Sequence, residues 1–374
     1  MARLPDLRET FEQLDEIRRR ESRVVMATLV STKGTTPRRE GAKMWVGEGG
    51  RILGSVTIGG CVDARVAAES EEVLREATPR LLTMALGDED AWELGLTCGG
   101  TVEVLIEPVA LDSRGDPVVM AYDAVRTESE VGRRSVAVVP LGFEDLPSGS
   151  AGVRLVVRED GSSAGTLGDS ALDRVAIARA LEVMRLSASR SEIIEFAGTR
   201  ARLYFELHGP ATSLIIFGAG QVAIPLVRFA TVLGWHTTVV DGRERYATRE
   251  RFPQADEIRI GLLAEIAEQL QYDASTFVVL VAHDYKFEVP VLRVVLRREP
   301  AYIGLLGNRA RGAAVLDFLA AEGIDADAIS RVHVPVGLDI GALTSAEIAL
   351  SVLAEALAVR NDRPGTSMRN RKPT

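Results

Sequence analysis

The stretch LIIFGAGQVAIPLVRFATVLGWHTTVVD (Leu214–Asp241) constrains the chain most. An apolar run ends on a glycine-rich turn, a helical pattern follows, and a second apolar run ends on an acid. Gly218-Ala219-Gly220-Gln221-Val222-Ala223 is G-x-G-x-x-A, and Asp241 lies 21 residues past Gly220. Strand, turn, helix, strand and acid in this order predict a Rossmann-type unit. The first glycine permits the tight turn. The second lets backbone approach a phosphate at the positive end of a helix. Ala223 lets the helix lie close to the strand, and Asp241 is placed to accept a ribose hydroxyl pair. Any phosphate-bearing ligand satisfies such a turn, so the motif leaves the ligand open.

Further apolar runs follow at Glu257–Ile260, Phe277–Asp284 and Tyr302–Asn308, each separated from the next by a helical pattern. Near-continuous apolar strands alternating with helices predict a doubly wound parallel sheet, covered on both faces. Thr344 and Glu347 form a capping box before a last helix, IALSVLAEALAV.

The N-terminal half reads differently. Leu7, Phe11, Leu14 and Ile17 recur at helical spacing, and Val24–Thr32 reads as a strand. Behind them lies a repeat. GAKMWVGEGGRILGSV (Gly41–Val56) aligns without a gap on GVRLVVREDGSSAGTL (Gly152–Leu167). Gly41, Glu48, Gly50 and Gly54 meet Gly152, Glu159, Gly161 and Gly165. Lys43 and Met44 meet Arg154 and Leu155. Each copy follows an apolar strand, precedes a helix and ends on another strand, which is the mark of a duplicated unit. The copies run over about 24–108 and 135–208. Extended without a gap, the alignment puts Leu172 opposite Cys61. The expected organisation is an α+β domain over 1–210, a Rossmann-type domain over 211–362 and a disordered, basic tail over 363–374.

The net charge of −9 argues against nonspecific nucleic-acid binding. The N-terminus lacks the apolar region of a signal peptide, and no apolar run is long enough for a membrane span. Two cysteines in 374 residues are no disulfide framework. A cytoplasmic protein with reduced thiols is expected.

Each cysteine stands beside a glycine pair, in Gly59-Gly60-Cys61 and Cys98-Gly99-Gly100. Converging backbone N–H groups there could hold an anion or lower a thiol pKa. A small buried hydrophobe is the plainer alternative. Two cysteines without C-x-x-C or a nearby histidine are too few ligands for zinc. Of four histidines, His208 falls in the linker, His236 starts a strand, His333 lies near the terminal apolar segment, and His283 follows a strand end where Rossmann sites lie. An NAD(P)-dependent oxidoreductase would need His283 as its acid or base; a surface histidine reads the same way. Arg309 opens a helix after the Tyr302–Asn308 strand, where it could meet a phosphate.

GSVTIGGCVDARV, DEDAWELGLTCGGTVEVLIEP, LIIFGAGQVA, VAHDYKFEVPVL, YIGLLGN and PVGLDIGALTSAEIALSVLAEALA occur in an order that resembles the XdhC/CoxI family over nearly the whole chain. The resemblance implies a maturation factor for molybdenum hydroxylases such as xanthine and carbon monoxide dehydrogenases, rather than an enzyme. It implies binding of the molybdenum cofactor, a molybdopterin with or without a nucleotide, its retention during sulfuration, and delivery to the apoenzyme. A cysteine desulfurase and a second copy of the chain are further partners to expect. On this reading Gly218, Gly220, Ala223, Asp241, His283 and Arg309 face the phosphate side. Gly59, Gly60, Cys61, Gly99 and Gly100 face the other end, and Cys98 is the metal ligand.

Overall fold

The computed structural model describes residues 7–34, 38, 40–57, 60–86, 100–141, 153–186, 188–210, 212–282 and 284–370. They divide between two units, Ala2–Pro210 and Ala211–Thr374. In the first unit the duplication takes physical form. One copy runs α1 (Leu7–Arg18), β1 (Arg23–Gly34), β2 (Lys43–Gly47), β3 (Ile52–Gly54), α2 (Cys61–Glu76), β4 (Arg80–Leu86) and β5 (Gly100–Ala110). The other runs α3 (Pro117–Glu130), β6 (Ser135–Pro140), β7 (Leu155–Arg158), β8 (Ser163–Gly165), α4 (Ser170–Leu186), β9 (Arg190–Phe196) and β10 (Thr199–His208). Among the described residues each copy forms a five-stranded antiparallel sheet, ordered β3-β2-β1-β5-β4 and β8-β7-β6-β10-β9. The orders correspond strand for strand. The repeat also includes its leading helix, because α3, capped by Asp116 with Pro117 in its first turn, stands to the second copy as α1 does to the first.

Gly54 and Gly165 show why the aligned glycines matter. Their φ values are 73° and 80°. A Cβ at Gly54 would stand 2.6 Å from the Lys43 carbonyl oxygen, and one at Gly165 would stand 2.1 Å from that of Arg154. No side chain fits either place.

The gapless alignment fails at one point. Asp63 accepts from the backbone N–H of Val56, and Asp173 accepts from that of Leu167. The turn before Asp63 is one residue longer. Val62 therefore matches Leu172, and both are buried. Cys61 matches Ala171, and not Leu172 as the sequence alignment predicts.

α2 buries Val62, Val66 and Val73 on the first sheet, and α4 buries Leu172, Ala176 and Val183 on the second. On the other side the two copies meet. Lys43 Nζ lies 2.7 Å from Glu206, and Arg154 pairs with Glu107. All four side chains are buried. Glu107 pairs in register with Met26, and Glu206 with Ala137, so the acids occupy equivalent positions. Lys43 and Arg154 are equivalent by the repeat. Each base thus crosses to the other copy's acid. Elsewhere a position meets its own equivalent. The Phe11 and Tyr122 rings lie edge to face at 6.5 Å. Asp15 pairs with Arg126 at 2.9 Å, and Glu103 pairs with Arg202 at 2.9 Å. Self-pairing of this kind defines a pseudo-two-fold axis.

His208 ends β10 opposite Ser135 and is buried, not in a linker as its sequence position suggests. Burial pushes its pKa down to about 4, against the pull of Glu206.

The second unit runs β11 (Ser213–Phe217), α5 (Ala223–Val232), β12 (His236–Asp241), β13 (Glu257–Ile260), α6 (Leu263–Gln269), β14 (Thr276–Leu280), α7 (Tyr285–Val295), β15 (Tyr302–Leu305), α8 (Arg309–Ala321), α9 (Ala326–Ser330), β16 (Val332–His333) and α10 (Ser345–Arg360). Its strands are parallel, ordered β13-β12-β11-β14-β15-β16. Leu214, Ile216 and Val279 face α5 and α10, while Ile215, Phe217 and Val278 face α6, α7 and α8. Both faces are covered, as the continuous apolar strands require. The predicted capping box at Thr344 and Glu347 forms. Strand order reverses between β11 and β14, where open α/β sheets bind ligands. Past α10, residues 363–369 are exposed, and Met368–Asn370 make one 3-10 turn.

The crossed pairs are open to a direct test. Glu206→Gln should lower the unfolding free energy by about 3–5 kcal/mol, because Lys43 is then buried without its counter-charge. Adding Lys43→Met should recover most of that loss. Urea denaturation of the three variants measures it, and a double variant no more stable than the single one would refute the pairing.

Candidate functional site

The Rossmann turn begins where β11 ends. The Gly218 N–H donates to the Val240 carbonyl at 2.8 Å, tying the turn to β12. Gly218 has φ 111°, and a Cβ there would stand 2.7 Å from the Ala282 nitrogen. The backbone itself demands this glycine. Gly220 is different. Its φ is ordinary for any residue, and the nearest atom to a Cβ would be the Val281 oxygen at 3.8 Å. Among the described residues nothing needs Gly220 to lack a Cβ, so the room it leaves is available to a ligand. Ala223 is fully buried as the first residue of α5. Among the described residues no side chain caps that helix, which leaves its first N–H groups for an anion.

Asp241 stands where the fingerprint puts it, but its carboxylate is occupied. Oδ2 accepts from the Ala219 N–H at 2.6 Å and from Arg243 Nη2 at 2.7 Å. Oδ1 accepts from the Arg243 backbone N–H at 2.8 Å and from its Nε at 2.9 Å. Burial alone would raise the Asp241 pKa; the bonds from Arg243 and Ala219 hold it below the ordinary value. The Arg243 guanidinium lies 4.1 Å from the centre of the Tyr246 ring. Arg251 donates to the Ala219 carbonyl at 2.9 Å, so the Ala219 peptide is held on both sides. Arg243 is the residue that the sequence reading missed, although it stands in the D-G-R-E-R run beside Asp241.

At the carboxyl ends of β14 and β15, His283 lies outside the described residues. Asp284 caps α7, accepting from the Lys286 N–H at 2.9 Å. Arg309 opens α8 and is exposed. The buried groups here are others. Glu288 is 1 % exposed and pairs with Arg311, which also donates to the Leu306 carbonyl at 3.2 Å. Glu288 Oε1 has no partner among the described residues. Burial pushes the Glu288 pKa up to about 7, and Arg311 opposes the shift. A lone acid inside the apolar FEVPVL run was the available signal.

In the first unit Gly60 caps α2 with φ 106° and open space around its Cα. Cys61 follows as the first helical residue, an exposed free thiol. Among the described residues no side chain caps this helix. The equivalent helix α4 is closed by Asp169, which accepts from the N–H groups of Ala171 at 2.7 Å and Leu172 at 3.0 Å. Gly100 starts β5 and pairs with Gly34 and Leu86. Gly54, which ends β3, pairs with Met44, so β3 leaves the sheet at the end where Gly34 and Gly100 lie. The α2 N-terminus therefore lies at the same end as Gly100. Gly59, Cys98 and Gly99 lie outside the described residues, and with them the expected metal ligand. Among the described residues no group of three or more His, Cys, Asp or Glu is arranged to hold a metal. None of their helices is long and apolar enough to cross a membrane.

Two family models match this chain. One, described as the XdhC Rossmann domain, covers residues 214–356. The other, described as the XdhC and CoxI family, covers 17–85 and 147–197. The chain is 27 % identical over 349 residues to a protein of Bacillus subtilis (strain 168) named as a probable xanthine dehydrogenase subunit, spanning 93 % of this chain and 96 % of the relative. It is 24 % identical over 343 residues to the molybdenum cofactor insertion chaperone PaoD of Escherichia coli (strain K12), spanning 90 % and 83 %. A crystal structure described as that of a xanthine dehydrogenase from Bacillus halodurans superposes with a TM-score of 0.74 at 27 % identity, covering 96 % of this chain and 97 % of that one.

The two glycines should respond differently. Gly218→Ala should destabilise the fold by about 1–3 kcal/mol, and Gly220→Ala should stay within about 0.5 kcal/mol of the parent. Equal losses in thermal melts would contradict the distinction. Glu288 gives a pH test. Its folded pKa lies above its unfolded value of 4.5, so its contribution is complete below pH 4.5 and is lost as pH rises through 7. Glu288→Gln should melt with the parent near pH 5 and above it near pH 8. A constant difference across that window would remove Glu288 as the titrating group.

Proposed function

Because the chain belongs to the XdhC and CoxI family, we propose that it is a molybdenum-cofactor chaperone. It holds the cofactor while the metal's terminal sulfur is installed, then delivers it to a molybdenum hydroxylase of the xanthine dehydrogenase type. The similarity to a protein named as a molybdenum cofactor insertion chaperone supports this reading.

The observation behind it is the Gly220 turn. The protein leaves space where a Cβ would stand, beside an α5 N-terminus without a side-chain cap. A phosphate fits that chemistry. Gly218, Gly220 and Ala223 would hold the pterin phosphate, and Arg309 and His283 would assist them. When bound, the cofactor supplies a soft, sulfur-rich metal centre, which suits a thiol neighbour. Cys98 and Cys61 would face it, with Gly59, Gly60, Gly99 and Gly100 offering backbone N–H groups. The duplication supports this assignment. The second copy closes its helix with the Asp169 carboxylate, whereas the first has Gly60 at the N-cap, with no side-chain cap among the described residues, and adds an exposed thiol. An apoenzyme client follows from delivery, and a cysteine desulfurase is the matching sulfur source.

Protein purified from cells that make the cofactor should contain molybdenum and pterin. Gly220→Asp should lose both while keeping its circular dichroism, since a Cβ there meets no described atom closer than 3.8 Å and the carboxylate repels the anion. Activation of a co-expressed hydroxylase should fall severely in Cys98→Ser and less in Cys61→Ser, with melting temperatures within a few degrees of the parent. Unchanged pterin content in Gly220→Asp would refute the placement. Hydride transfer to NAD or NADP, lost in His283→Ala, would replace the chaperone reading with an oxidoreductase.

A further inference from the structure

We propose that Arg243 is a specificity-determining residue of the Rossmann site, selecting a ligand that places a phosphomonoester there over one that places a free ribose diol. The inference rests on the phosphate-turn reading above and goes further, because it assigns the chemistry at the end of the turn next to β12.

A dinucleotide site of this fold accepts the ribose hydroxyls on an acid at the end of the second strand. That acid must have a free oxygen lone pair and must be approachable. Asp241 is 4 % exposed, and its two oxygens take four N–H donors from the protein. Two of the four come from the Arg243 side chain, a bidentate fork of the strongest geometry such pairs adopt. A ribose diol would have to break that fork, leaving Arg243 without its counter-charge.

The same fork presents Arg243 as a donor. With Nε and Nη2 bound to Asp241, its plane is fixed, and the Tyr246 ring lies against the guanidinium. Nη1 has no partner among the described residues, and the side chain is 56 % exposed. Arg251, tied to the Ala219 carbonyl, adds a second cation against the turn. Asp241, Arg243 and Arg251 together carry one net positive charge. Where such sites accept a phosphate on the ribose, an arginine beside the acid is the usual donor. A dianion gains from the fixed Nη1 and from the surplus charge; a neutral diol gains from neither.

Adenosine 2′,5′-bisphosphate and adenosine 5′-monophosphate serve as probes, since they differ by one phosphate on the ribose 2′ oxygen. Titration calorimetry of the full chain should give the bisphosphate at least about tenfold tighter binding, the worth of one charge-assisted hydrogen bond. Arg243→Gln should reduce that preference to about threefold or less. Arg243→Lys keeps the charge without the fork, and should fall between them; it carries the test if the glutamine variant does not fold. Equal affinity for both probes in the parent chain, or a preference that survives both substitutions, overturns the specificity and leaves the turn standing. Binding of neither probe overturns the specificity together with the phosphate-turn reading.

Discussion

The first unit depends on two buried ion pairs that cross its pseudo-two-fold axis. A buried lysine or arginine without a counter-charge is strongly destabilising. Lys43 pairs directly with Glu206, and Arg154 with Glu107, each in the other copy. Neither copy can bury its base alone. The β1–β5 pairing and the β6–β10 pairing must therefore be completed together, which makes the duplicated halves one folding object. The axis carries smaller signatures of the same history. Glu103 against Arg202 and Asp15 against Arg126 are positions meeting their own equivalents with opposite charge. Identical subunits would have set like charges against each other at these places, and fusion into one chain permits the complement.

This arrangement separates scaffold from site. Stability is shared across the axis, so one copy's loops can change without loss of the other's support. The asymmetry falls at the start of the two equivalent helices. α4 has an aspartate over its first N–H groups, whereas α2 has Gly60, an exposed thiol and a turn longer by one residue. Both keep an acid in the first helical turn, Asp63 or Asp173, fastening the preceding strand. The scaffold role is retained twice, and the open helix end once.

Local rules made much of this legible. The G-x-G-x-x-A turn, the acid beyond it, the capping box and the paired Gly54 and Gly165 each follow from a backbone requirement within a few residues. The illegible parts depend on distant contacts. The extra residue before Asp63 hides because glycine turns align equally well with or without it; only the bonds from Val56 and Leu167 locate it. Lys43 and Glu206 are far apart in sequence, and both read as ordinary solvated charges until the strands bring them together. Glu288 looks like a helix-surface acid until α7 turns it inward against Arg311. Asp241 is legible in its position but not in its partners, because a motif names the acid without naming what already holds it.

Long-range charge cannot explain how a chain with net charge −9 would retain an anion. At physiological salt, fields from exposed charges decay within about 8 Å, so the net charge is a weak term at any one site. What a phosphate would meet is local: the uncapped N-terminus of α5, Arg251 on the Ala219 carbonyl, and Arg243 held by Asp241. Asp241 then has an indirect electrostatic role. Without it the guanidinium would be a mobile surface group, weakly ordered and screened. With it, half the fork is satisfied and the other half is fixed in place, so little freedom is lost when an anion binds. An acid at this position can thus strengthen anion binding, provided that an arginine stands between it and the ligand.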